Sequence, residues 1–390
     1  MLSKVGRTST AQELGSQTER FRFAIANCQH YEQGYYTAYQ HMAEQELDLV
    51  VHLGDYIYEG SPVEGRPRRH NSPEIFTLED YRNRYALYKS DPHLQAAHAA
   101  FPWLVTWDDH EVENNYANAI SEIDQEPDQD PQVFLQRRAI AYQAYYEHQP
   151  LRSTSIPQGP DLLLYRRYTF GDLAEFNVLD TRQYRTDQPC GDGIRVGCTE
   201  AFNPEATITG LEQEQWLFQG LEHSQARWNV MAQQVTVAQL DRTPGLEQGL
   251  SMDKWDGYVA SRDRLLSFLQ DHKPANPIVL TGDIHSNWVM DLKVDFNDPE
   301  STTVGTEFVA TSISSGGDGS DTNANTEAYL AENPHLKFFN NQRGYVRCEL
   351  THDQWQSDYL VASVVTTPDG TISTRASFVV EDGQPGAQHI

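Results

Sequence analysis

The chain has 390 residues and a formal net charge of −27, with 56 acidic and 29 basic side chains. This charge argues against nucleic acid as a resting partner, because phosphate backbones would be repelled, and it fits either a solubility surface or carboxylates that bind hard cations such as calcium. Hydrophobic residues make up 38% of the chain, with 20 tyrosines and 7 tryptophans, which is enough for a sizeable core and excludes global disorder.

The first twenty residues are polar. Residues 1–20 contain no apolar segment of the kind found at the centre of a signal peptide, so we interpret them as a lead-in and expect no signal peptide there. No stretch of the chain is long and apolar enough to predict a transmembrane helix, so stable membrane insertion is not expected.

A β-α-β unit follows the lead-in. FRFAIA (21–26) and VVHLGDYIYEG (50–60) each begin with a short apolar strand, and the segment between them has apolar residues at helical spacing. The two strands of such a unit are parallel neighbours, so Cys28 and Asp55 are expected to leave the same edge of the sheet. Tyr58, three residues further on, can point back at whatever Asp55 holds.

The next apolar strand, FPWLVTW (101–107), ends in four titratable residues in a row. Packing alone explains such a run poorly, which leaves a site at the strand end or a solvated loop as the two interpretations. The four residues are Asp108, Asp109, His110 and Glu111.

Residues 161–185 have the pattern of a β-hairpin with its turn at 170–172, and Arg182 lies at the end of the second strand. A guanidinium there can hold a phosphate through two parallel hydrogen bonds, or it can form a plain salt bridge with a nearby carboxylate. Further along, Thr209 and Glu212 predict an N-cap and capping box for the next helix.

Cys190 and Cys198 bracket a polar loop that has no obvious hydrophobic anchor. A disulfide that closes this loop would indicate an oxidising compartment, so we expect an extracytoplasmic protein, whether periplasmic, at the cell surface or secreted. Cys28 and Cys348 cannot be paired by their spacing.

PIVLTGDIHSNW (277–288) repeats the earlier arrangement of an apolar strand, a glycine and an acid, here Asp283, followed by His285. The remainder of the chain is β-rich, and no linker divides it. We therefore predict one α/β domain over residues 21–390, built as a two-sheet sandwich with flanking helices.

Together, the predicted strand ends supply a thiol, a phenol, imidazoles and several carboxylates. Sulfur and phenolate favour iron or a borderline metal, whereas carboxylates and an amide favour calcium or magnesium. Ions held a few ångströms apart would clamp the attacking and leaving oxygens of a phosphoryl transfer. A nucleophile formed by Cys28 and a histidine is the alternative, but the sequence shows no residue that would orient the histidine.

Six motifs occur in this order: FRFAIANCQHYEQGYYTAYQHMAEQELDLVVHLGDYIYE, TWDDHEVENNYAN, NVLDTRQYR, DKWDGY, LTGDIHSNW and EFVATSISSGG. They resemble the alkaline phosphatases of the PhoD family, distant relatives of the purple acid phosphatases among the metallophosphoesterases. The resemblance extends from about Phe21 to the C-terminus, and it implies a metallophosphoesterase-like sandwich.

The resemblance also implies two groups of metal ligands. An iron ion (Fe³⁺) would be held by Cys28, Asp55, Tyr58 and His285. Asp55 would bridge to calcium. Two calcium ions would use Asp108 or Asp109, Asn115 and Asp283, and Asn114 competes with Asn115 for the amide position.

The activity implied is metal-dependent hydrolysis of phosphomonoesters by an alkaline phosphatase. His110 would orient the site or protonate the leaving oxygen, and Arg182 would stabilise charge on the phosphate. One alternative is a phosphodiesterase or phospholipase D-type hydrolase. Another is a non-enzymatic extracellular calcium-binding module, which would need no Cys28–Tyr58 pair. The physiological ester and the oligomeric state stay open.

Overall fold

The apolar runs of the sequence form two β-sheets that pack face to face, with helices on both outer sides. A computed structural model describes residues 5–8, 10 and 12–390. Residues 1–4, 9 and 11 of the predicted lead-in lie outside the described residues. Among those described, no helix has both the length and the apolar character that a membrane crossing requires.

The strands of the described residues are, in chain order, β1 (Phe21–Ala26), β2 (Leu49–His52), β3 (Trp103–Val105), β4 (Arg166–Phe170), β5 (Ala174–Val178), β6 (Ile194–Val196), β7 (Trp228–Ala232), β8 (Gly249–Ser251), β9 (Pro277–Thr281), β10 (Asn287–Lys293), β11 (Thr303–Val309), β12 (Gly319–Ser320), β13 (Leu336–Gln342), β14 (Gly344–Leu350), β15 (Gln354–Ala362), β16 (Ile372–Glu381) and β17 (Gln384–His389). The α-helices are α1 (Thr37–Ala43), α2 (Leu78–Lys89), α3 (Pro92–Ala100), α4 (Pro131–His148), α5 (Leu211–His223), α6 (Val259–His272) and α7 (Thr326–Glu332).

The first sheet has the strand order β17-β16-β15-β14-β1-β2-β3. β1, β2 and β3 are parallel, with Phe23 opposite Leu49 and Val50 opposite Trp103, which confirms the predicted β-α-β unit. The amide of Cys28 donates to the carbonyl of Gly54 at 3.0 Å, so the two strand ends do leave the sheet side by side.

The second sheet has the order β12-β13-β10-β11-β9-β7-β5-β4. Its centre is parallel from β5 through β7 and β9 to β11. β4 and β5 form the predicted hairpin, with Phe170 paired to Ala174. A separate two-stranded sheet joins β6 to β8, and it ties the cysteine loop to the chain after β7.

The apolar core consists of three regions, one between the sheets and one on the outer face of each sheet. Between the sheets, Phe23 and Val51 of the first sheet are fully buried against Phe176 and Ile278 of the second. The outer face of β1–β3 is covered by α1–α4, which bury six of the 20 tyrosines in this layer. The outer face of the second sheet is covered mainly by α5 and α6. The predicted two-sheet sandwich with flanking helices is therefore confirmed.

Two boundaries differ from the sequence-based prediction. α5 is preceded by Gly210 at φ +73° and has no side-chain cap, so the predicted Thr209 capping box is wrong. A Cβ atom at Gly210 would lie 2.9 Å from the Cβ of Tyr184, which explains why a glycine makes this entry. β3 is also shorter than predicted and covers only Trp103–Val105.

Candidate active site

The strand ends of both sheets meet at one cleft. Asp55 follows β2, Asp109 follows β3, and Asp283 and His285 lie between β9 and β10. The cleft has a volume of about 350 Å³, and its lining also includes His110, Asn114, Asn115, Asp192, Arg242, Asp253 and Lys254.

Five of the predicted ligands share a backbone conformation that side chains rarely adopt. The positive φ angles are 52° at Cys28, 55° at Asp55, 51° at Asn115, 63° at Asp283 and 58° at His285. A non-glycine residue held there costs about 1–3 kcal/mol, and such residues concentrate at functional sites. The surrounding fold therefore stabilises these residues in conformations that local propensity opposes.

The sulfur, phenol and imidazole side chains form one group. Ligand atoms of Cys28, Asp55 and His285 all lie within 4.8 Å of one another. The Tyr58 hydroxyl donates to Asp55 Oδ2 at 2.8 Å and lies 3.2 Å from His285 Nε2. Ser315 Oγ lies 2.7 Å from the same hydroxyl. The structure thus brings together the four residues expected to hold iron.

A second group is made of carboxylates. Asp109 has oxygen atoms within 4.8 Å of ligand atoms in two clusters, one with Asp55 and His110 and the other with Asp108 and Asp283. Asp109 lines the cleft, whereas Asp108 is buried behind it and accepts from Arg182 Nε at 2.6 Å. This geometry favours Asp109 over Asp108 as the group that faces a ligand.

The two asparagines have different partners. Asn115 Nδ2 donates to Asp192 Oδ2 at 2.7 Å, while its backbone amide donates to Asp109 Oδ2 at 2.8 Å. Asn114 Nδ2 donates to Glu122 Oε1 at 2.7 Å. Because a carboxylate only accepts, Asp192 fixes the amide of Asn115 with its oxygen turned away from Asp192.

His110 forms an ion pair at the edge of the cleft. Its Nδ1 lies 2.7 Å from Glu59 Oε2, and its ring packs on that of Tyr58 with a centroid distance of 4.2 Å. Burial acts to lower the pKa of His110, but Glu59, Asp55 and Asp109 outweigh it and raise that pKa well above the usual value. The geometry places His110 Nδ1 where it can donate to Glu59.

Burial is the largest cause of the pKa shifts at three predicted ligands, Cys28, Asp55 and His285. Burial raises the pKa of the Cys28 thiol and of the Asp55 carboxyl, and neighbouring carboxylates act in the same direction. Burial, followed by Arg343 and His110, lowers the pKa of His285 to about 3. A neutral imidazole is the form that binds a metal ion.

For Arg182, the structure supports the salt bridge with a nearby carboxylate that the sequence left open. Its fully buried side chain donates to Asp108 Oδ1 at 2.6 Å and to both oxygens of Asp253 at 2.6 and 3.0 Å. It does not line the cleft, and its direct contact with phosphate stays a prediction without support from this geometry.

Sequence reasoning missed several residues that hold the site. Lys254 Nζ forms an ion pair with Asp283 Oδ2 and lies 3.1 Å from Asp253 Oδ2. Glu59 holds His110, as described above. Asp253 and Lys254 begin the motif DKWDGY, so the sequence did mark this segment. It did not reveal their partners, because Arg182 lies 71 residues from Asp253 and Asp283 lies 29 residues from Lys254.

The side chains present fit metal ions. Asp55 Oδ1 and Asp108 Oδ2 are buried and have no hydrogen-bond partner among the described residues. A buried carboxylate oxygen without a donor is costly, and a cation supplies what is missing. Sulfur, phenol and imidazole donors surround Asp55, which suits iron, and the cluster of Asp108, Asp109 and Asp283 offers only carboxylate oxygens, which suits calcium.

Known proteins identify the class to which this sandwich and its acidic cleft belong. The chain is a phosphatase, a hydrolase of phosphate esters. It belongs to the PhoD-like phosphatase family, whose profile matches residues 23–359.

Two relatives are similar over nearly the whole chain. Alkaline phosphatase D of Bacillus subtilis (strain 168) is 55% identical over 394 residues, covering 100% of this chain and 67% of the relative. The solved structure of PhoD matches with a TM-score of 0.95 and 54% sequence identity, covering 99% of this chain and 74% of that one. The resemblance to the PhoD family is confirmed. Membership of a phosphatase family favours the enzyme over the calcium-binding module, and the metal ligands stay predictions.

Proposed function

We propose that this phosphatase hydrolyses phosphomonoesters as an alkaline phosphatase, with iron (Fe³⁺) and two calcium ions as cofactors. The observation that carries the proposal is the meeting of two donor sets that share Asp55. Cys28, Tyr58 and His285 lie on one side of it, and Asp109 lies on the other.

The ligand assignment follows the donor types. Iron would be held by Cys28, Asp55, Tyr58 and His285. Calcium would be held by Asp55, Asp109, Asn115 and Asp283. When bound, these ions would supply an activated water and neutralise charge on the phosphate.

The chain's own residues orient the site and supply a proton. Glu59 holds His110 through Nδ1 at 2.7 Å. His110 lines the cleft, where its imidazolium form can protonate the leaving oxygen. Arg182 and Lys254 bind Asp253 and Asp283, which keeps these carboxylates in place. The acidic cluster is thereby partly neutralised before an anionic ester enters.

The Asp55→Asn substitution tests the proposal. We expect hydrolysis of an aryl phosphate to fall by at least about a thousandfold, because the shared ligand loses its charge. Asp321→Asn is the matched control, since Asp321 pairs with Arg375 at the surface and does not line the cleft. Full activity of Asp55→Asn would refute the assignment.

Elemental analysis and a substrate pair test the finer points. We expect iron and calcium in a ratio near one to two, and zinc as the sole metal would contradict the cofactor proposal. An aryl phosphate should be hydrolysed faster than its bis-aryl diester. The opposite ratio would favour a phosphodiesterase.

An extracytoplasmic location also belongs to the proposal. The Cys190–Cys198 disulfide is present in the structure, as the sequence predicted. Disulfides persist in oxidising compartments, which supports export. Fractionation of the source cells, with the phosphatase activity followed in each fraction, tests it.

A further inference from the structure

Arg242 lines the cleft with a guanidinium that has no protein partner among the described residues. It belongs to the loop between β7 and β8 and is partly buried. Its Nε atom is buried without a hydrogen-bond partner, and the side chain forms no ion pair with the described carboxylates. The guanidinium of Arg242 thus lines the cleft without a protein acceptor, and an anionic ligand bound there would supply one.

The other cations that line the cleft or lie behind it are already paired with carboxylates. Arg182 binds Asp108 and Asp253, and Lys254 binds Asp253 and Asp283. His110 is held by Glu59. Among the described lining residues, Arg242 is the cation left available for an anionic ligand. The carboxylates of this acidic cleft would otherwise repel such a ligand.

The backbone of Arg242 is held on both sides. Its amide donates to the carbonyl of Gly249 at 2.9 Å. The preceding residue, Asp241, accepts from the amides of Thr243 and Gly249, each at 2.9 Å, and its own amide donates to Asn333 Oδ1 at 2.8 Å. The arginine therefore projects from an anchored position in the loop.

We propose that Arg242 binds an anionic oxygen of the substrate ester. A guanidinium matches the geometry of phosphate oxygens and carries its charge at every relevant pH. This assignment rests on the proposed phosphate ester hydrolysis and adds a substrate-binding residue to it. The anionic oxygen belongs either to the phosphate that is hydrolysed or to a second anionic group on the leaving alcohol.

Steady-state kinetics of Arg242→Gln and Arg242→Lys separate these two sources. The substrates are an aryl phosphate, a sugar monophosphate and the matching sugar bisphosphate, and inorganic phosphate is the competitive inhibitor. If Arg242 binds the reacting phosphate, Arg242→Gln raises every KM and the inhibition constant of phosphate by about tenfold, which is the usual effect of losing one charge-assisted hydrogen bond. If Arg242 instead binds a second anionic group, Arg242→Gln raises only the KM of the sugar bisphosphate.

Arg242→Lys should fall between the wild type and Arg242→Gln, because it keeps the charge but loses the planar fork. Arg375→Gln is the matched control, since Arg375 pairs with Asp321 at the surface. Unchanged KM and inhibition constants in Arg242→Gln would overturn the proposal. A loss of iron or calcium from the variant would overturn it as well, because Arg242 would then act through assembly of the site. An inactive wild-type protein would instead refute the proposed function.

Discussion

At the scale of single residues, Tyr58 allows the proposed iron site to be tested by spectroscopy. Its hydroxyl lies between Asp55 Oδ2 and His285 Nε2, at 2.8 and 3.2 Å. A phenolate bound to Fe³⁺ absorbs visible light, so we expect the purified protein to be coloured. Tyr58→Phe should abolish that absorption band and lower the iron content, as absorption spectroscopy and elemental analysis would measure.

Tyr345→Phe is the control for this substitution. Tyr345 also hydrogen-bonds a histidine, His41, at 3.0 Å, but it does not take part in the site. Its variant should keep the colour. A Tyr58→Phe protein with an unchanged spectrum and full iron content would exclude the phenol as a ligand.

The residues at the strand ends were predictable from sequence, and those that hold them were not. Asp55 and Asp283 follow apolar runs and a glycine, so local pattern and parallel pairing together indicate where they lie. Glu59 and Lys254 also lie within quoted motifs, yet their importance depends on His110 and Asp283, which are distant in sequence. Charge complementarity between remote loops leaves no periodic signal.

Lys89, the last residue of α2, should make the stability of the protein depend on pH. Burial lowers the pKa of Lys89 from 10.5 to about 8, and its ammonium donates to the carbonyl of His148. Between pH 8 and 10.5 the unfolded chain binds more protons at this residue than the folded chain does. Stability contributed here therefore rises with pH across that window, by about 3 kcal/mol at most.

The comparison of wild type with Lys89→Met measures this effect. The difference in the free energy of unfolding between the two proteins should change in favour of the wild type as the pH rises from 8 to 10.5. Lys337→Met serves as the control, because Lys337 is exposed and pairs with Asp291 at the surface. A constant difference between wild type and Lys89→Met over this range would show that the lysine is not perturbed.

At the scale of elements, the disulfide loop contributes directly to the cleft. Asp192 lies between the two cysteines and adopts φ 61° and ψ −174°, a region that is nearly exclusive to glycine and costs about 1–3 kcal/mol. Its Oδ2 accepts from Asn115 Nδ2 at 2.7 Å, and its Oδ1 is buried without a partner among the described residues. The loop thus holds a strained carboxylate against a proposed calcium ligand.

This arrangement predicts that the loop tunes calcium affinity. Asp192→Ala should weaken calcium binding by about 10- to 100-fold, the usual effect of removing a residue that orients a metal ligand. Serine at both Cys190 and Cys198 should weaken it in the same direction. Calorimetric titration of calcium into chelator-treated protein measures both effects.

The two changes are expected to be non-additive because they act through one contact. A triple variant that also lacks Asp192 should therefore bind calcium no more weakly than Asp192→Ala alone. Fully additive losses would mean that the disulfide acts elsewhere, and the iron content should stay constant throughout.

Elements were predicted well where the signal is local and less well where it is not. The β1-α1-β2 unit and the β4-β5 hairpin follow from periodicity and turn residues. The pairing of β1 with β14 joins Phe21 to Leu350, and nothing local indicates that partner. At the start of α5 the local sequence favoured a threonine cap, but Gly210 precedes the helix because only glycine allows the close approach of Tyr184.

At the scale of the whole molecule, the proposed site joins the two sheets. Cys28 and Asp55 follow strands of the first sheet, whereas Asp283 and His285 follow β9 of the second. The interface between the sheets is otherwise apolar, and the acids at its edge repel one another. Ions bound there would hold both sheets together and offset that repulsion.

Metal removal should therefore destabilise the entire fold and not only the cleft. Ions at a thousandfold excess over their dissociation constant stabilise a native state by about 4 kcal/mol, so chelation should lower the thermal midpoint by several degrees. Added calcium should restore more of the lost thermal midpoint than added magnesium, because magnesium prefers a smaller octahedral site. Asp55→Asn should show a much smaller response to chelation, and Asp321→Asn the full one. If chelation strips the ions, as elemental analysis would verify, and the midpoint does not move, the ions do not join the sheets.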